Sequence, residues 1–152
     1  CNDTGLLGSR DDRLVVILNK MKLTSYLNSR GGDHPTVITG ESAIPSQLSA
    51  KRVSHLAYEL GPFEVTLGRV TIPDYDAGMS AVGLAIMNGA ARIYLAGFDG
   101  FDDPARNITM DTFFAAAGHL NSRVEIVSLT PTRYRNVIQS SVYAAIAGNT
   151  DR

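Results

Sequence analysis

The sequence predicts an α/β fold in which a mostly parallel sheet carries helices on its faces, and three observations support this. Short apolar runs rich in β-branched residues recur at Leu14–Leu18, Thr36–Thr39, Ile93–Ala96 and Val124–Leu129. Between most of them lie stretches whose apolar residues repeat at helical spacing. Turn residues mark the changeovers, so strands and helices alternate in the order that parallel crossovers require.

Taken in order, Cys1 to Asp12 holds Gly5, Gly8 and three Asp residues and reads as a loop or arm. Leu14-Val15-Val16-Ile17-Leu18 is the strongest β signal in the chain, ended by Asn19, and is expected to be a central strand. Met21 to Ser29 makes a short helix with Leu23, Tyr26 and Leu27 on one face, broken by Arg30-Gly31-Gly32-Asp33. Thr36-Val37-Ile38-Thr39 is a second strand. From Ser46 to Leu60 the residues Leu48, Val53, Leu56, Ala57 and Leu60 can be drawn on a helix, but the pattern is imperfect and a partly extended reading stands beside it. Phe63 to Ile72 alternates Phe63, Val65 and Leu67 against Glu64, Thr66 and Gly68, a strand interrupted at Gly68.

Ala77 to Asp103 is the most informative stretch. Met79, Val82, Ala85 and Ile86 recur at helical spacing, Pro73-Asp74-Tyr75-Asp76 supplies a cap, and Gly89 stands where a helix C-cap belongs. A helix ending near Asn88 follows. Ile93-Tyr94-Leu95-Ala96 then reads as a strand buried on both faces, leading directly into Gly97-Phe98-Asp99-Gly100. Asp102 to Asn107 is a polar loop, and a helix from about Thr109 to Leu120 would bury Phe113, Phe114, Ala117 and Leu120. Val124–Leu129 is another strand, Thr130-Pro131-Thr132-Arg133-Tyr134 comes off its end, and Val137 to Ala147 reads as a terminal helix.

Composition narrows the function classes. The 152 residues make one domain, 1–152, large enough to bury roughly two-thirds of its unfolded surface. With 44% hydrophobic and 19% charged residues the chain is globular rather than disordered, and its net charge of −1 offers no general attraction to nucleic acid or an anionic membrane. The single cysteine, Cys1, cannot close an internal disulfide, no Cys/His cluster has metal-site spacing, and no metal is expected. No apolar run approaches the ~20 residues that span a bilayer, and no signal-peptide pattern opens the chain, so a cytoplasmic setting is expected. The start at Cys1-Asn2-Asp3, without an initiator Met, leads to the expectation of a domain cut from a longer protein.

Ligands of open α/β sheets collect at the carboxyl ends of strands. If Ile93–Ala96 and Val124–Leu129 run parallel, two loops share one sheet edge. One carries Gly97, Asp99 and Gly100, and the other Thr130, Thr132, Arg133 and Tyr134. An acid, two hydroxyls, a guanidinium and a phenol suit a polar ligand such as a sugar or a nucleotide. A structural reading stands beside it, with Asp99 capping a turn and Thr-Pro-Thr forming a rigid corner. Gly97-x-x-Gly100 is too short for a dinucleotide fingerprint and no Gly-Lys-Ser/Thr sequence occurs, so NAD binding and nucleotide hydrolysis have weak support. His34, His55 and His119 are far apart and read as surface or helix-end residues, and Asp102 and Asp103 beside Asp99 read more simply as a solvated loop than as a cation site. No serine or cysteine nucleophile has a supporting His and acid, so the catalytic residues and any cofactor stay unassigned.

The run Ile93-Tyr94-Leu95-Ala96-Gly97-Phe98-Asp99-Gly100-Phe101 after a small-residue helix, with Ser128-Leu129-Thr130-Pro131-Thr132-Arg133-Tyr134, resembles the C-terminal domain of HMG-CoA-lyase-like proteins labelled 4-hydroxy-2-oxovalerate aldolase. The likeness covers most of the second half of the chain. It implies a Rossmann-like three-layer module appended to an N-terminal aldolase barrel where the carbon–carbon lyase chemistry resides, and a non-catalytic role in binding a small polar or nucleotide-linked ligand or in docking on that barrel. By the same analogy appended domains mediate homodimers. The Ala81–Asp99 unit also resembles bacterial sialyltransferases that use CMP-sialic acid, which implies as the alternative a glycosyltransferase domain holding a nucleotide sugar, although no catalytic His aligns.

Overall fold

The computed structural model describes residues 14–18, 20–30, 36–40, 53–55, 57–120 and 124–147. The amino-terminal arm, His34 and the segment 46–52 lie outside the described residues. Within them the chain forms a mixed α/β structure of three small sheets and four helices.

In the first sheet, β1 (Leu14–Val16), β2 (Thr36–Thr39) and β3 (Val53–His55) run parallel in that order, with Val15 opposite Val37 and Ile38 opposite Ser54. Side chains alternate across an extended chain. Ile17 and Val37 therefore meet Leu23 and Leu27 of helix α1 (Lys20–Arg30) on one face, while Val16, Leu18 and Ile38 turn to the other face and enter the main core. Leu23 and Leu27 stand four residues apart and are both buried, which is the apolar face expected for this helix.

The second sheet has the order β4-β6-β5, where β4 is Ala57–Leu60, β5 is Glu64–Thr66 and β6 is Arg69–Ile72. A turn at Leu67-Gly68 folds β5 antiparallel onto β6, and Gly68 has φ of +86°, a conformation open to glycine at little cost. β4 pairs with β6 in parallel. The helical drawing of Ser46–Leu60 is corrected here: Val53–His55 and Ala57–Leu60 are strands, because β2 and β6 offer ladder partners to a segment whose helical pattern was weak.

Helix α2 spans Ala77–Met87. Asp76, in extended conformation, caps it by accepting from the backbone N–H of Gly78 at 2.8 Å and of Met79 at 3.1 Å. At the other end Gly89 (φ +80°) donates to the carbonyl of Ile86 and Ala90 donates to that of Ala85, the paired bonds of a Schellman motif. Met79, Val82 and Ile86 are buried as their spacing required.

The third sheet is fully parallel: β7 (Arg92–Leu95), β8 (Glu125–Ser128) and β9 (Ile138–Gln139), with Ile93 opposite Ile126 and Val127 opposite Ile138. The expectation that β7 is buried on both faces is corrected, since Arg92 and Tyr94 are exposed and Arg92 Nε bonds Glu125 Oε2 at 2.6 Å across the ladder. Between β7 and β8, helix α3 runs from Pro104 to Leu120 and starts earlier than its apolar pattern. Pro104 fits the first helical position and Asp103 accepts from Ala105 N–H at 2.9 Å, so the polar loop is itself the helix start. Met110, Phe113, Phe114 and Ala117 are its buried residues, while Leu120 is 44% exposed and does not join them. The terminal helix is shorter than expected: Ile138-Gln139 pair with β8, and α4 occupies Val142–Ala147 behind Ser141, whose hydroxyl accepts from Ala144 N–H.

One core of Val16, Leu18, Ile38, Val70, Ile72, Met79, Val82, Met110, Phe113, Phe114 and Ile126, among others, draws on all three sheets and on α2 and α3. Phe113 and Phe114 are 0% and 1% exposed. α2 reaches β6 through Gly83, where an added Cβ would lie 2.4 Å from Val70 Cγ1. Gly83→Ala is therefore expected to destabilise the fold by about 1–3 kcal/mol through overpacking, despite alanine's better helix propensity of about 1 kcal/mol. The urea midpoint tests this, and an unchanged or raised midpoint would show that α2 does not press on β6.

Candidate functional site

Parallel pairing of β7 and β8 sends both strands toward one edge, and Leu129 N–H extends the ladder there by bonding Leu95 O at 2.8 Å. Beyond that bond the two expected loops meet. Gly97, with φ of +74°, turns its N–H to Thr130 Oγ1 at 3.0 Å, and the same hydroxyl lies 3.4 Å from Asp99 Oδ1, to which it donates. Arg133 N–H bonds Asp99 O at 3.3 Å, and Arg133 Nη1 bonds Phe101 O at 3.2 Å. Gly97, Asp99, Gly100, Thr130 and Arg133 thus share one edge. Asp99 and Arg133 are exposed.

Gly100 has φ of +116°, and a Cβ there would sit 3.0 Å from Arg133 Cδ and 3.1 Å from Asn107 Oδ1. Its absent side chain lets the second loop close over the first. Thr132 and Tyr134 play a different part. Thr132 Oγ1 accepts from Tyr134 N–H at 3.2 Å, and Tyr134 is buried with its ring edge-on to Phe114, the centroids 5.2 Å apart. Tyr134 anchors the loop in the core.

Three side chains that hold this edge were missed in the sequence. Asn107 accepts from Phe101 N–H and donates to Phe101 O, both at 2.7 Å, a two-point clamp on the first loop. Asp111, one helical turn further along α3, accepts from the N–H groups of Arg135 and Asn136 at 2.8 and 2.9 Å and so clamps the second. Arg106 lies over the Phe101 ring at 3.9 Å and reaches Asp76 at 3.6 Å and Asp74 at 4.0 Å. The i, i+4 spacing of Asn107 and Asp111 on one helix was the available signal. It was obscured by reading Asn107 as loop.

Asp102 and Asp103 do not converge with Asp99 on a cation site: among the described residues no group of three or more His, Cys, Asp or Glu side chains is arranged to hold a metal. His119 is exposed in the last turn of α3, away from the two loops in sequence and contacts. Among the described residues, no helix is long and apolar enough to cross a membrane. No family model, curated protein or solved structure matches the chain.

Burial, and after it the negative charge of Asp76, hold the Tyr134 phenol above its ordinary value of 10.0. Folding therefore favours the neutral phenol. That contribution is intact below about pH 10 and is lost as pH rises through the raised folded value. Tyr134→Phe is expected to flatten the alkaline fall in stability, read from thermal midpoints between neutral and strongly alkaline pH. An identical alkaline slope would place the titrating group elsewhere. For the clamp, Asn107→Ala leaves the Phe101 N–H without its partner and the Phe101 carbonyl with Arg133 alone, and is expected to cost about 1–3 kcal/mol. Faster amide exchange confined to Phe98–Phe101 would accompany it, and unchanged exchange there would contradict the clamp.

Proposed function

We propose that this chain is a Rossmann-like, non-catalytic accessory domain of an aldolase-type lyase, and that it binds a small polar or nucleotide-linked ligand at the edge formed by Gly97–Gly100 and Thr130–Arg133. The observation that carries the reading is the junction at Thr130, whose hydroxyl joins Gly97 N–H and Asp99 across two strand ends. It leaves the carboxylate of Asp99 exposed, and the facing loop, whose Arg133 N–H bonds Asp99 O, carries the exposed Arg133 side chain.

The three-layer arrangement is part of the same proposal. Two sheets whose strands run parallel, with α1 and the core side chains on opposite faces of β1 and β2, are what supports it. In open α/β sheets ligands collect at the carboxyl ends of strands. Gly97 and Asp99 directly follow β7. Docking on the catalytic barrel, a homodimer and a cytoplasmic setting belong to the same reading of the chain as an appended domain. Carbon–carbon cleavage, on this reading, belongs to the barrel rather than to this domain.

Titration calorimetry with nucleotide sugars, sugar phosphates and 2-oxo acids tests the ligand. Binding heat from one class is expected, with Asp99→Asn weakening it about tenfold or more, as loss of a charged hydrogen bond does. No heat from any of them, on a folded sample, would reduce the role to docking. Sugar transfer by the full-length protein that Asp99→Ala abolishes would instead favour the glycosyltransferase reading.

A further inference from the structure

Two helices begin near the candidate edge, and at each start a carboxylate already accepts from backbone N–H groups. Asp76 Oδ1 takes those of Gly78 and Met79 on α2, and Asp103 Oδ1 takes that of Ala105 on α3. Free amides of a helix start are the usual seat of a phosphate in α/β proteins, and here carboxylates already occupy them. The surrounding charge has the same effect. The first loop carries Asp99, Asp102 and Asp103, while the second carries Arg133. The other nearby cation, Arg106, is committed to Asp76, Asp74 and the Phe101 ring. A phosphate brought to Asp99 would meet like charge there and a carboxylate at each helix start.

The bonding capacity left at the edge is the second oxygen of the exposed Asp99 carboxylate and the N–H groups of the exposed Arg133 other than the one that bonds Phe101 O, while the Thr130 hydroxyl is already shared between Gly97 N–H and Asp99. A carboxylate accepts from adjacent hydroxyls, a guanidinium donates to them, and neither requires a charged ligand. We infer that the edge takes an uncharged, polyhydroxylated ligand of the sugar class and discriminates against its phosphorylated and nucleotide-linked forms. This rests on the proposed ligand-binding reading and sharpens it, since that reading admits either form.

Matched probes separate the two. Glucose, galactose, mannose and N-acetylglucosamine, their 1-phosphates and their nucleoside-diphosphate derivatives are titrated into the 15N-labelled full chain at low salt, with amide shifts followed by NMR. The expected result is that at least one free sugar shifts the amides of Gly97–Gly100 and Thr130, and that its 1-phosphate and nucleotide derivative bind at least tenfold more weakly. Asp99→Asn, an exposed change whose fold is checked by the remaining amide shifts, is expected to weaken the free sugar at least tenfold. Asp99→Asn is also expected to narrow the gap between the sugar and its phosphate. A phosphorylated form that binds as tightly as its free sugar, or more tightly, at these amides would overturn the inference and leave the ligand-binding reading standing. No shift from any of these probes at these amides would overturn the inference; a 2-oxo acid titrated in the same way that shifts them would leave the ligand-binding reading standing, and its silence as well would remove both.

Discussion

The burial of Phe113 and Phe114 side by side on α3 is the interaction on which the rest of this structure depends. Phe113 meets Phe63 edge-on at 4.6 Å, ahead of β5, while Phe114 meets Phe98 after β7 and Tyr134 after β8. The two rings are 5.5 Å apart. One helix therefore joins the antiparallel hairpin to both strand-end loops through apolar contact, in addition to the hydrogen bonds of Asn107 and Asp111. Each such aromatic pair adds about 0.5–1.5 kcal/mol beyond the area it buries. Small sheets of three strands have little independent stability, and a shared aromatic core lets them stand together.

That core also explains the division of labour at the candidate edge. Tyr134 and Phe98 commit apolar surface inward, and Thr132 spends its hydroxyl on its own loop. Asp99 and Arg133 are then left facing solvent on a backbone that is already hydrogen-bonded. Charge placement follows the same logic. The acids at the helix starts stabilise α2 and α3 through their dipoles and amides, and in doing so they set the electrostatic character of the edge.

Much of the fold was legible in the residues, for identifiable reasons. The caps of α2 were readable because Asp76 and Gly89 have few alternative uses at those positions, and β8 was readable because a buried parallel strand demands an apolar run, while β7 was found by its run although Arg92 and Tyr94 are exposed. The readings that failed involve partners distant in sequence. Val53–His55 and Ala57–Leu60 became strands because β2 and β6 stand beside them, and Ile138-Gln139 left the terminal helix because β8 had a free edge. Tyr94 and Leu120 are apolar enough to read as buried, yet the packing leaves both exposed. At the edge itself the loop residues were visible, whereas the Asn107 and Asp111 clamps were hidden, because their i, i+4 spacing is a signal only once Asn107 is placed on the helix.

Those two clamps have a mechanical consequence. Asn107 grips the first loop and Asp111 the second, and both project from consecutive turns of one 17-residue helix. The loops are therefore slaved to a common spindle, so that a tilt of α3 carries them together rather than apart. Correlated motion of this kind preserves the spacing between Asp99 and Arg133 while the edge as a whole shifts, and little configurational freedom is left for a guest to freeze out.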